Sequence, residues 1–120
     1  MNADASEAMR NAAKSTAIHS DARPTPLLDV ALLYDCNLAC DYCTITEAMR
    51  LRSMPTRDVA MAMERARRDG YRAISFTGGE PTIRRDLLPL IRAAKKLGFE
   101  WIKVQSNGLL FTSANVERLR

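Results

Sequence analysis

Leu27-Leu28-Asp29-Val30-Ala31-Leu32-Leu33-Tyr34 runs directly into Asp35-Cys36-Asn37-Leu38-Ala39-Cys40-Asp41-Tyr42-Cys43, and this junction decides how the rest of the chain is read. The first half is an apolar run of strand length, which predicts a strand buried on both faces, as in a parallel sheet. The second half holds the only three cysteines of the chain, within eight residues. Thiolates grouped so tightly point to metal ligation. Iron–sulfur clusters are held by cysteine thiolates, and a four-iron cluster normally takes four of them. Three ligands leave one iron open, and an open position separates a reactive metal site from a closed structural one.

Two other readings stand beside this one. Spacings of four and three also place the cysteines on one stripe of a helix, where free cysteine packs as a small hydrophobe. A three-cysteine zinc site completed by another ligand is the second. The Asn and Asp residues around the cysteines suit a loop better than a core helix.

Outward from this junction the chain alternates. Thr56 or Ser53 is the expected cap of a helix that runs to about Asp69 and ends at Gly70. Val59, Ala62 or Met63, and Ala66 give it one apolar face. Arg72–Phe76 reads as a second strand, followed by Thr77-Gly78-Gly79-Glu80-Pro81. Asp86–Leu97 reads as a second helix closed by Gly98, with Pro89 tolerated in its first turn. Phe99–Gln105 is the third expected strand, with Glu100 and Trp101 as structural residues. Ser106-Asn107-Gly108 makes a turn, and Ser113 is the expected cap of a last helix from about Ala114. The pattern is βαβαβα, an α/β fold with a parallel sheet and right-handed crossovers.

The 120 residues suffice for one modest domain. Residues 1–26 lack periodicity beyond a weak helix around Glu7–Ala17, and are expected to form a flexible leader ending in Arg23-Pro24-Thr25-Pro26. Residues 27–120 form the folded unit. The net charge of +4 comes wholly from that unit, because Arg10, Lys14 and Arg23 cancel Asp4, Glu7 and Asp21. It is spread over helices without a dense basic run, so no nucleic-acid partner is expected. No signal peptide and no membrane span is apparent. Three clustered cysteines do not make a disulfide framework, and they fit a reducing, cytoplasmic compartment. His19 has no partner motif and is assigned no catalytic role.

The three unusual segments each follow a strand. In parallel α/β folds, active sites form at the carboxyl ends of the strands, so the segments converge on one rim. Gly78-Gly79-Glu80-Pro81 reads either as a tight turn or as a place where glycine lets a ligand approach the backbone closely. Ser106-Asn107-Gly108 alone is a common turn. On the shared rim, its side chains can hydrogen-bond the hydroxyls of a nucleoside.

Cys36, Cys40, Tyr42 and Cys43, then Thr77-Gly78-Gly79-Glu80-Pro81, then Ser106-Asn107-Gly108 resemble the radical S-adenosylmethionine enzymes. The run from Thr77 to Asp86 is most like the branch with molybdenum-cofactor cyclases, nitrogenase-cofactor assembly proteins and peptide-modifying maturases. The resemblance covers residues 28–120. It implies that Cys36, Cys40 and Cys43 ligate a [4Fe-4S] cluster whose open iron is chelated by S-adenosylmethionine. It places Tyr42 near the adenine. It gives the methionyl ammonium to Gly78, Gly79 and Glu80, followed by Pro81, and sets Ser106 and Asn107 near the ribose or the methionyl end. It implies reductive cleavage of S-adenosylmethionine to a 5′-deoxyadenosyl radical that abstracts hydrogen from a small-molecule or peptide substrate. It also implies a reducing protein partner such as flavodoxin or ferredoxin.

Cores of this family resemble a (β/α)6 partial TIM-like barrel, which needs on the order of 180 residues at about 30 per unit. This sequence supplies the first three units. The expectation is therefore an N-terminal half completed by a missing C-terminal half or a partner chain. Two rivals carry forward: a non-catalytic iron–sulfur or zinc module, and an inactive fragment that needs a partner.

Overall fold

The computed structural model describes residues 26–120. The expected leader (Pro26 excepted), the helix around Glu7–Ala17 and His19 lie outside the described residues. Among those described, three parallel strands lie in the order β1 (Leu27–Leu33), β2 (Ala73–Gly78) and β3 (Trp101–Val104). A short helix α1 (Glu47–Arg50) and a long helix α2 (Thr56–Arg68) connect the first two strands. A 3-10 turn (Pro81–Ile83) and α3 (Leu87–Leu97) connect the second pair, and α4 (Ser113–Leu119) follows β3. No helix among the described residues is long and apolar enough to cross a membrane.

The helices cover one face of the sheet. Val30 and Leu32 of β1 and Ile74 and Phe76 of β2 meet Val59, Met63 and Ala66 of α2 and Leu87, Leu90 and Ala94 of α3 in a single apolar cluster. Leu32, Met63, Ile74 and Phe76 are fully buried. Each of these side chains contributes about 1.5–3 kcal/mol by leaving water. The apolar stripe read for α2 from its sequence is the one that packs here.

β1 is not buried on both faces as its composition suggested. Leu27, Asp29 and Ala31 are exposed, while Val30 and Leu32 are buried. The reason is that helices supply only one layer. Trp101 and Lys103 of β3 are exposed on alternate positions too. The strand register puts Asp29, Ser75 and Lys103 in one row across the sheet.

Several boundaries differ from the sequence reading. β2 extends through Thr77 to Gly78. α2 has Pro55 at its N-cap without a side-chain cap bond. Thr56 is its first residue instead, and its hydroxyl donates to Asp86 Oδ2 at 2.6 Å. Ser53 forms a bridge to Leu33. The cap of α4 is Thr112, one residue before Ser113, and its hydroxyl accepts the Asn115 N–H. Gly98 closes α3 in the left-handed region as expected, with φ +92°.

Arg84 ties these elements together. Its Nη1 donates to the Leu32 carbonyl at 2.7 Å and to the Met54 carbonyl at 2.7 Å. Its Nε donates to Asp86 Oδ1 at 2.7 Å, and Nη2 meets Oδ2. One guanidinium thus pins the end of β1, the approach to α2 and the start of α3. The Arg84 hydrogen bond, opposed by partial burial and reinforced by Thr56, holds the Asp86 carboxyl at about 2, against 3.8 ordinarily.

Arg84→Ala leaves Asp86 and two carbonyls without this donor, so unfolding by urea should show a loss of about 2–4 kcal/mol. The depressed Asp86 carboxyl contributes stability that is complete above pH 3.8 and disappears as pH falls through about 2. Asp86→Asn should flatten that acid-side slope in a pH series of thermal melts.

Candidate functional site

The three loops after the strands meet at one edge of the sheet. The cysteine segment is a loop, with no regular structure between Leu33 and the start of α1. This sets aside the reading in which the cysteines share a helical stripe. Its only local backbone closure is a turn in which Cys43 N donates to the Cys40 carbonyl at 3.0 Å. Cys36 and Cys40 are half-buried and Cys43 is exposed.

Gly78 and Gly79 press against the start of this loop. Gly79 N donates to the Leu33 carbonyl at 2.8 Å, and Glu80 N donates to the Asp35 carbonyl at 2.9 Å. A Cβ on Gly78 would fall on the Leu33 carbonyl oxygen, and one on Gly79 on the carbonyl oxygens of Asp35 and Tyr34. Gly78 also has φ +133°. The close backbone approach that these glycines permit is therefore made by the chain's own first loop.

Glu80 is fully buried, and both its carboxylate oxygens are engaged. Oε1 accepts from the Thr82 N–H at 3.2 Å, the Thr82 hydroxyl at 2.6 Å and the Ser106 hydroxyl at 2.7 Å. Oε2 accepts from the Asn107 N–H at 2.7 Å. Four donors are about what an ionised carboxylate can take. Burial pushes the Glu80 carboxyl up, but the Asn107 amide and the Thr82 and Ser106 donors outweigh it and hold it below its ordinary value.

Asn107 carries the connection onward. Its Nδ2 donates to Asn37 Oδ1 at 2.8 Å and to Cys36 Sγ at 3.8 Å, and its Oδ1 accepts from the Leu109 N–H at 3.0 Å. The second loop is thus bonded to the third, and the third to the cysteine loop. Pro81 is buried and opens the 3-10 turn. Tyr42 stands apart from this assembly and is 88% exposed.

The three sulfurs are not gathered into a coordination sphere. Among the described residues, no group of three or more His, Cys, Asp or Glu side chains is disposed to hold a metal ion. The donor type fits an iron–sulfur cluster, since such clusters are held by cysteine thiolates and all three thiols sit on one loop. A cavity of about 410 Å³ beside it is lined by Ala39, Cys40, Cys43, Ile45, Glu47 and Arg50.

Four residues here escape a reading of the motifs: Asn37, Arg50, Thr82 and Asp35. Thr82 is a local partner, two residues beyond Glu80, and donates both its N–H and its hydroxyl to Oε1. Arg50 had no local signal, because its partners lie 12 and 14 residues away.

Residues 30–120 match the sequence profile of the Radical SAM superfamily. A probable GTP 3′,8-cyclase of Saccharolobus solfataricus is 35% identical over 89 residues, which are 73% of this chain and 29% of that protein. The chain therefore spans under a third of the length of such curated relatives. The crystal structure of Streptococcus suis SuiB bound to the precursor peptide SuiA superposes with a TM-score of 0.66 at 26% identity, covering 94% of this chain and 26% of SuiB. SuiB bound to S-adenosylmethionine gives 0.64. BtrN in an open conformation shares the fold, with a TM-score of 0.67 at 20% identity over 82% of this chain and 46% of BtrN.

Glu80→Gln replaces an acceptor oxygen with a donor that faces other donors. Unfolding should report a loss of about 2–3 kcal/mol without any ligand added. A variant as stable as the parent would show that the carboxylate does not tie the loops together.

Proposed function

The chain belongs to the radical SAM superfamily, and from that premise we propose that it is the cluster- and S-adenosylmethionine-binding half of a radical SAM enzyme core. The branch is the one that the Thr77–Asp86 run resembled, and the fold is the first three units of a partial (β/α)6 TIM-like barrel. One observation carries the reading. Glu80, Asn107 and Cys36 form a continuous hydrogen-bonded path through all three motif-bearing loops. Such convergence is what a single cofactor site at the carboxyl ends of parallel strands requires.

In this reading Cys36, Cys40 and Cys43 hold a [4Fe-4S] cluster through their thiolates. A cluster held there, with S-adenosylmethionine bound beside it, would supply one-electron cleavage of a carbon–sulfur bond and through it hydrogen abstraction from a substrate. The chain's own residues bind and orient. The Gly78 and Gly79 carbonyls and the Glu80 carboxylate receive the methionyl ammonium, while Pro81 fixes the turn behind them. The Thr82 and Ser106 hydroxyls can rotate, so either can turn from Oε1 and free a lone pair for that ammonium. Ser106 and Asn107 lie near the ribose or the methionyl end, and Tyr42 lies near the adenine.

Residues 27–120 act as one half of the core. The exposed face of β1 and β3 supports this, since Leu27 and Trp101 sit uncovered on it. The covering half comes from further strand–helix units or a partner chain. The substrate is a small molecule or a peptide. SuiB, solved with a precursor peptide, supports the second. A flavodoxin or ferredoxin donates the electron, and the compartment is the cytoplasm.

The test is anaerobic reconstitution with iron and sulfide, then electron paramagnetic resonance of the reduced protein with and without S-adenosylmethionine. The expected outcome is about four irons per chain and a signal that changes when S-adenosylmethionine is added. Cys40→Ala should abolish cluster uptake. Zinc in place of iron, or a cluster signal indifferent to S-adenosylmethionine, would overturn the reading.

A further inference from the structure

Arg50 belongs to no motif, yet its side chain holds the cysteine loop by its backbone, whereas Asn107 meets that loop through side chains. Its Nη1 donates to the Cys36 carbonyl at 3.0 Å, and its Nη2 donates to the Leu38 carbonyl at 2.8 Å. Nη1 also lies 4.0 Å from Asp35 Oδ1. The Arg50 side chain is three-quarters buried, and it lines the cavity that Cys40 and Cys43 line.

Its base is fixed. Thr46 caps α1 by accepting the Met49 N–H, and Arg50 N donates to the Thr46 carbonyl at 3.2 Å. The chain beyond α1 is stitched to the end of β1. Tyr34 N donates to the Arg52 carbonyl at 3.0 Å and Met54 N to the Leu32 carbonyl at 2.8 Å. The guanidinium therefore reaches the loop from a rigid platform. A planar group with parallel donors can span two carbonyls, whereas an ammonium is a point donor.

Charge gives the second argument. Between residues 35 and 50 the chain carries Asp35, Asp41 and Glu47, and Arg50 is the only cation. A cluster held by the three cysteines would concentrate more negative charge in the same place, and its reduction would add another. A cation at this position stabilises the reduced form more than the oxidised form and so raises the midpoint potential.

We propose that Arg50 is the positioning residue of the cysteine loop, holding its backbone through Cys36 and Leu38 and offsetting the negative charge of whatever the thiolates bind. The charge half of this inference rests on the cluster reading above; the loop-holding half does not.

Two measurements on the full chain separate them. Hydrogen exchange before reconstitution should show amides of residues 35–43 exchanging about tenfold faster in Arg50→Gln, because a charge-assisted hold on the loop is lost. Amides of β2 serve as the internal control and should not change, which also shows that the variant is folded. After anaerobic loading with iron and sulfide, Arg50→Gln should shift the midpoint negative by about 59 mV, a tenfold change in the reduced-to-oxidised ratio. Arg50→Lys keeps the charge and loses the planar pair of donors. It should retain the parent potential while its loop exchanges faster.

Unchanged exchange in both variants overturns the positioning role. An unchanged potential in loaded Arg50→Gln overturns the charge role. A parent chain that takes up no iron, together with faster exchange in the variants, overturns the cluster reading and the charge role but supports Arg50 as the holder of the loop.

Discussion

A carboxylate removed from water must be surrounded by donors, and Glu80 draws its donors from two separate loops. Its own turn supplies Thr82, and the loop after β3 supplies Ser106 and the Asn107 N–H. An ionised group at zero exposure would otherwise cost several kcal/mol in desolvation. The chain satisfies that demand only when the ends of β2 and β3 are in register. Asn107 then has its side chain free to reach Asn37 and Cys36. The arrangement of the rim thus depends on one anion being fully solvated by protein.

This gives Glu80 a structural role beside the one its motif implies. The same oxygens that would meet an ammonium also align the loops. Gly78 and Gly79 behave likewise, since the space their missing side chains leave is filled by the backbone of residues 33–35. The Gly-Gly-Glu segment is a wedge against the start of the cysteine loop. A change in it should therefore shift the cysteine loop without touching a cysteine.

Much of this was legible in the sequence because it is local. Apolar periodicity located α2, and Gly98 marked the end of α3, where it takes a left-handed φ. The order of strand, cysteine loop, strand, Gly-Gly-Glu and strand located the rim. Contacts between distant positions were not legible. Arg84 reaches Leu32 across 52 residues and Asn107 reaches Cys36 across 71, and no spacing rule connects such pairs. The alternation of β1 was also hidden, because Leu27 and Ala31 have the same chemistry as the buried residues between them. Which face is covered depends on where the helices lie.

The stitching of Arg52 and Met54 to the end of β1 has a consequence for the order of events. Leaving the sheet at Tyr34, the chain comes back to the same strand at Arg52, so the cysteine loop is a closed excursion whose two feet stand together. The entropy of closing such a loop depends only weakly on its length, about 0.6 kcal/mol per doubling. It is met once, by the feet, when the sheet folds. Rearrangement of the cysteines within the excursion then leaves the strand pairing untouched. Strand pairing and the spacing of the sulfurs are thereby settled separately: the sheet can form first, and the sulfurs can be gathered afterwards within a loop whose feet are already fixed.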